Sequence, residues 1–332
     1  MIVMQSTLER QALTQRELRE MISRCVGPER MPKKLRIITD TSDFYRVEYD
    51  DVLILDERPY LIRHYEREGR FGIAEQPKFW VKRAIDLTNG TRKIIKMVFA
   101  EKFSVRAGDL VFACVRSSRK EARILDLVRG HPGFMQGFSE RDSAGNIVRV
   151  IDYIPGMTVD TFISRIGGNH EEYYYNVFPP VLDHYIDLVK AIGFLHQHGE
   201  KHGDIRRDHI IKDTHGVYQW IDFDFNYSHE ENLFGYDLFG LGNILIFLAG
   251  CGDITLRDIE KRHCRVLDRL SSDDMNIIFR NRVTNLKKIY PYITDSLNLI
   301  LLHFSSGASI FYDNTEQFLI DLQEARDILP TS

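Results

Sequence analysis

An α+β chain, with strands crowded into its first half and helices filling its second, is what this sequence predicts. Three observations carry the prediction. Residues 35–99 hold six short β-branched or aromatic segments separated by turn-like residues. From about residue 157 onward, apolar residues recur at helical spacing. Between the two regimes, "PGMT" at 155–158 breaks the chain.

The elements follow in order. Residues 7–26 read as an amphipathic helix, with Leu8, Leu13, Leu18 and Ile22 near helical spacing and a polar face rich in Arg and Glu. "GPERMPKK" ends it. "LRIITD", "FYRVEYD", "VLILD", "YLIRHYE", "KFWVKRAIDL" and "RKIIKMVF" read as strands of an antiparallel sheet. "LTNG" at 87–90 reads as a hairpin turn. Residues 105–129 read as helix, clearest in "RKEARILDLVRG", which "HPG" stops. Two strands follow, "GFMQGFSE" and "IVRVIDYI". "VFPPVLDHYIDLVKAIGFLHQHG" is a long apolar-periodic helix, and "HIIK" and "VYQWIDF" are short strands after it. Residues 236–250 and several segments to 328 return to helix.

The totals narrow the classes. The chain has 332 residues, 43% of them hydrophobic, enough for one large domain or two modest lobes. A formal net charge of −4 argues against a nucleic-acid binder. Four cysteines, none in a CxxC pair, argue against a zinc ribbon or a disulfide framework and for a cytoplasmic protein with reduced thiols. "MIVMQSTLERQALTQRELRE" lacks a signal-peptide pattern, and "ILIFLAG" is too short to span a bilayer. Peripheral membrane contact stays open.

An ordered set of residues then stands out. Lys96 lies in the strand "KIIKMVF", and Glu121 lies in the helix after it. Asp204 sits in "HGD", His209 five residues on, Asp222 at the end of "YQWID", and Asp237 in "DLFGLGNIL". This order resembles the protein-kinase superfamily, over roughly residues 58–325. The catalytic loop is similar to that of the lipopolysaccharide-core heptose kinases, which also carry histidine where His209 stands. The run after Asp222 is similar in spacing to that of choline and aminoglycoside kinases. "KEARIL" and "FYDNTEQFLIDLQEA" resemble the bacterial serine/threonine protein kinases.

The resemblance implies a bilobal protein-kinase-like fold: an N-terminal antiparallel sheet with one helix, then a mainly helical C-terminal lobe. Its parts would be an extension at 1–55, a nucleotide-binding small lobe at 56–152 and a catalytic large lobe at 153–332. It implies ATP and Mg2+ (or Mn2+) as cofactors. Lys96 would reach the ATP phosphates, held by Glu121. Gly69 and Gly72 in "EREGRFG" would open backbone N–H groups to phosphate, with an ordinary hairpin turn as the other reading. Asp152, Tyr153 and Ile154 would meet adenine. Asp204 would be the catalytic base, with Arg206 holding the transferred phosphate. Asp222 would ligate metal, and "WIDFDF" puts Asp224 where the family has glycine; Asp224 adds a second metal contact or faces solvent. His209 replaces an asparagine metal ligand; imidazole suits Mg2+ poorly, so it binds metal weakly, favours Mn2+ or only packs the loop. His196, His198 and His202 read as structural, as does Asp237 beneath the catalytic loop. Gly203 replaces the arginine through which activation-loop phosphorylation acts.

The acceptor is less defined than the chemistry. Asp222 and Asp237 lie only 15 residues apart, too short for a peptide-docking segment. A kinase acting on a sugar, glycolipid or other small hydroxyl compound is therefore the first reading. A bacterial Ser/Thr protein kinase and a nucleotide-binding pseudokinase serving as an interaction module are the alternatives.

Overall fold

The computed structural model describes residues 13–70, 73–107, 110–228, 233–262 and 264–330. Along the chain run α1 (Gln15–Val26), β1 (Ile37–Ile38), β2 (Val52–Leu55), β3 (Arg58–Arg70), β4 (Ile73–Asp86), β5 (Arg92–Lys96), β6 (Lys102–Ala107), β7 (Leu110–Arg116) and α2 (Ser118–Leu127). Then come β8 (Gly137–Arg141), β9 (Ile147–Asp152), β10 (Gly156–Thr158), α3 (Val159–Ser164), α4 (His170–Asn176) and α5 (Phe178–Gln197). After these follow β11 (Ile210–Asp213), β12 (Tyr218–Trp220), β13 (Phe225–Ser228) and α6 (Gly235–Ala249). The last are α7 (Leu256–Arg262), α8 (Cys264–Leu267), α9 (Asp295–Leu302) and α10 (Thr315–Ile328). They form two compact units, Met1–Phe99 with Gln136–Tyr153, and Ala100–Met135 with Ile154–Ser332. Helix α2 thus groups with the helical unit and not with the sheet that precedes it.

The first unit is built on one sheet of order β1-β2-β3-β4-β5-β9-β8. Alternation fills both its faces, because successive strand side chains point opposite ways. On one face Leu53, Leu55, Tyr60, Ile62, Ala84, Ile95, Met97, Val148 and Val150 form a core beneath Val47. On the other, Val52, Leu61 and Leu87 receive Leu18 and Ile22 of α1. Both α1 residues are fully buried, worth about 1.5–3 kcal/mol each. Thr14 starts α1 with a capping box: its hydroxyl accepts from the Glu17 N–H at 3.2 Å, and its own N–H donates to Glu17 at 2.8 Å. The expected start at residue 7 lies outside the described residues. At the hairpin turn, Gly90 adopts φ +77 and donates to the Asp86 carbonyl at 2.8 Å.

Three expectations are corrected here and in the second unit. The sheet is not wholly antiparallel, since β1 pairs with β2 in parallel register. "FYRVEYD" is a 3-10 turn at Phe44–Arg46, because the Asp43 carboxylate accepts from the Tyr45 N–H at 3.1 Å and curls the chain. Its Phe44 packs edge-on against Trp80 and Phe99 instead of alternating in a strand.

The helix expected over 105–129 is the third. Only Ser118–Leu127 is helical; β6 and β7 precede it as a hairpin. In "LVFACVR" Phe112, Cys114 and Arg116 are buried while Val111 and Val115 are exposed, a period of two that no helix face can satisfy. β7 also pairs antiparallel with β13. The remainder of the second unit is helical, apart from a small sheet of order β10-β11-β12. Strand β10 is the "PGMT" stretch that reads from sequence only as a break. Helix α5 buries Leu182, Tyr185, Leu188, Val189, Ile192 and Leu195. The Leu188 carbonyl accepts from the fully buried Trp220 indole at 2.9 Å, which seats β12 on α5. Helix α6 is apolar almost all round, as a central buried helix must be. No helix among the described residues is long and apolar enough to cross a membrane.

Candidate active site

The loop between α5 and β11 is held from below by one carboxylate. Asp237, fully buried in the first turn of α6, accepts from the N–H groups of His202 at 2.8 Å and Gly203 at 2.9 Å. His196 Nε2 meets the same carboxylate at 3.1 Å. Burial works to raise the pKa of Asp237, but the His196 contact and the Gly203 N–H outweigh it and hold the carboxyl below its usual range. His202 is itself fully buried, and burial drives its pKa down to about 3, so it stays neutral. Its Nδ1 accepts from the Asp204 N–H at 3.3 Å, which fixes the backbone of Asp204.

Gly203 is required by geometry. It adopts φ +87, and a Cβ there would meet the Phe225 carbonyl oxygen at 1.9 Å. The arginine found here in the family resemblance cannot be accommodated against β13.

Asp204, His209 and Asp222 form a short chain of groups. His209 Nδ1 lies 2.9 Å from the Asp204 carbonyl oxygen, an acceptor, so Nδ1 carries a proton and donates. That assigns the lone pair of a neutral imidazole to Nε2, which faces Asp222 Oδ2 at 3.7 Å. His209 Nδ1 is also 3.5 Å from Asp204 Oδ2. Burial raises the pKa of Asp204, with His209 and Arg206 pulling the other way, yet its side chain keeps 13% exposure. Asp222 adopts φ +63, the left-handed region, a strained backbone for a non-glycine residue and the kind of strain that collects at functional sites.

One ligand atom from each of Glu121, Asp222 and Asp224 lies within 4.8 Å of the others, a spacing at which three carboxylates can share a cation. Glu121 is buried on α2 and Asp224 is fully buried. The solvent-facing reading of Asp224 is therefore overturned. Its partner is Arg116 of β7, at 2.7 Å with both side chains buried. Burial alone would depress the Arg116 pKa; Asp224 and Asp222 outweigh it and raise it.

Lys120 was not singled out from sequence, and neither was Arg116. Lys120 Nζ donates to the His202 carbonyl at 2.8 Å and to the Phe225 carbonyl. It ties α2 to the loop between α5 and β11 on one side and to β13 on the other. The Ser117 N–H reaches the Asp224 carbonyl at 2.7 Å, closing the same corner. A signal for Arg116 was present: a charge at the third buried position of an alternating run needs a buried partner.

The other expected residues fall as follows. Arg206 forks onto Asp208 through two nitrogens. Lys96 is buried in the first unit, with Val81 and Arg149 opposite it in the sheet. Gly69 lies in β3, and Gly72 lies outside the described residues. The N–H groups of Asp152 and Tyr153 donate to the carbonyls of Gln136 at 2.8 Å and Arg92 at 3.3 Å, so they serve the sheet. Asp152 also pairs with Lys93, and Arg92 stacks on the Tyr153 ring. Ile154 opens the second unit's chain toward β10.

No protein-family model matches the sequence, and no curated protein matches it. The fold is similar to the kinase domain of PknI from Mycobacterium tuberculosis, at 13% identity and a TM-score of 0.46, over 80% of this chain and 96% of that one. A variant of the same domain aligns at 14% identity and a TM-score of 0.48, over 80% and 95%.

Proposed function

We propose that this chain is an ATP- and divalent-metal-dependent phosphotransferase that moves the γ-phosphate to a hydroxyl acceptor. The observation that supports this best is the chain Asp204–His209–Asp222, with Glu121 and Asp224 close to Asp222. Phosphoryl transfer needs a base beside the acceptor and carboxylates beside the phosphates. The carboxylate oxygens fit a hard cation such as Mg2+, and His209 Nε2 adds a donor that suits Mn2+ better. The cation would neutralise phosphate charge, with Asp222 as its principal ligand. Asp204, with its raised pKa and residual exposure, takes the acceptor's hydroxyl proton. Arg206 supplies positive charge two residues from that base. In the second unit Glu121, close to Asp222, would help hold the cation at the nucleotide phosphates.

A small hydroxyl compound or glycolipid is favoured over a protein side chain. Part of the short stretch after Asp222 is taken up as strand β13, paired to β7. The substitution of histidine for asparagine at 209 favours the second reading, a nucleotide-binding pseudokinase. The test uses γ-labelled ATP with Mg2+ or Mn2+ and a lysate of the source cells. Label in one fraction (protein, glycolipid or small molecule) that vanishes with Asp204→Asn establishes catalysis and names the acceptor class. Nucleotide binding without Asp204-dependent label in any fraction selects the pseudokinase.

A further inference from the structure

A pair of arginines beside the catalytic loop is not used by the mechanism above. Arg207, three residues after Asp204, gives one guanidinium nitrogen to Asp253 Oδ2 at 2.9 Å. Arg282 gives one to Asp253 Oδ1 at 3.1 Å. Each guanidinium is also laid on a phenyl ring, Arg207 over Phe247 at 4.1 Å and Arg282 over Phe279 at 4.0 Å. The loops are fixed: Val283 donates to the Ile254 carbonyl at 2.8 Å and Leu256 to the Asn281 carbonyl at 3.0 Å. The two arginines are therefore held in place before any ligand arrives.

The charge does not balance. Two guanidiniums share one carboxylate, leaving one positive charge in excess. Burial and the like charge of Arg207 push Arg282 below its usual pKa, despite Asp253. The side chains keep 32% (Arg207), 28% (Arg282) and 24% (Asp253) exposure, so the cluster is open to solvent on one side. A triad serving stability alone gains little from a second arginine repelled by the first. Each arginine presents five N–H donors in a planar fork, the geometry that matches phosphate or carboxylate. Among the described residues, Asp253 is the only carboxylate paired with either.

We propose that Arg207 and Arg282 form an oxyanion site, and that the acidic group of the acceptor docks there. The acceptor is then an acidic hydroxyl compound bearing a phosphate or carboxylate. Only this last step rests on the phosphotransferase reading; the oxyanion site does not.

The test is a ³¹P titration of the full chain with inorganic phosphate at constant ionic strength. Arg282→Met and Arg207→Met should each weaken phosphate at least about tenfold, the scale of one charge-assisted fork. Lys96→Met, which removes the cation of the proposed nucleotide site, should leave this affinity unchanged. If a methionine variant fails to fold, Arg282→Lys and Arg207→Lys keep the charge, lose the fork and should still weaken binding. Succinate displacing the phosphate would identify a carboxylate acceptor; no displacement would identify a phosphate ester. No phosphate or succinate binding by the wild type overturns the site. Equal affinity in all variants, or a loss confined to Lys96→Met, overturns it too. Because the titration needs no transfer, Asp204-dependent labelling can fail while the oxyanion site stands, and the reverse.

Discussion

Two of the buried lysines, one in each unit, are treated in opposite ways. Lys120, on α2, has a pKa pushed down to about 8 by burial, and its ammonium meets two backbone carbonyls. Lys82, on β4, is fully buried and also pushed down to about 8 by burial. Yet its Nζ makes no hydrogen bond among the described residues; it faces the Tyr65 ring at 4.0 Å, and Glu48 and Asp51 act on it only through their charge. At Lys120 in the helical unit the cost of burying a charge is offset by contacts that hold β13 and the loop before β11. At Lys82 in the sheet unit no hydrogen bond offsets it. The difference teaches that a buried charge can join segments distant in sequence where carbonyls meet it, and reads as a stability deficit where none does.

Breaking the helical unit's side of this contrast should give the largest effects. Arg116→Met strands Asp224 in the interior and should cost ~3–5 kcal/mol in denaturant unfolding, the range for one lost partner of a buried pair. Lys120→Met leaves two carbonyls without their donor and should cost ~2–4 kcal/mol. Labelled transfer should fall with it, even at temperatures where the variant stays folded. Gly203→Ala forces a Cβ toward the Phe225 carbonyl and should cost more than ~2 kcal/mol.

The sheet unit should respond with the opposite sign. Lys82→Met removes a poorly satisfied charge and should stabilise at pH 7 by ~1–3 kcal/mol. The pH dependence has a definite direction. The folded pKa of about 8 lies below the ordinary 10.5, so between these values the unfolded chain binds more protons. Wild-type stability should therefore gain from Lys82 as pH rises from about 8 toward 10.5. The variant's curve should lack that gain. At the small end, Arg16→Ala breaks an exposed i,i+4 pair at 3.0 Å and should change stability by less than ~0.5 kcal/mol.

Legibility in the sequence followed the range of the contacts. Helices α5, α6 and α10 were readable because their apolar period is local. Asp204, His209 and Asp222 were readable because they lie within one short stretch. The β6–β7 hairpin was absorbed into a neighbouring helix signal, and its pairing with β13 joins segments about 110 residues apart. Arg116 and Lys120 draw their roles from that pairing, so the alternation of β7 marks Arg116 as needing a buried partner without naming it, and no local pattern announces Lys120. The turn at Phe44–Arg46 escaped because its aromatic content mimics a strand, while one Asp43 hydrogen bond decides otherwise.

The register of β13 on β7 has an evolutionary consequence. Phe225 stands opposite Arg116 and Ser228 opposite Ala113, so residues 113–116 and 224–228 form one unit of inheritance. A homologue that loses the hairpin loses the counter-ion of residue 224 at the same stroke. Such a homologue should carry a small neutral residue at 224 and be released from glycine at 203. Across a family alignment these columns should vary together.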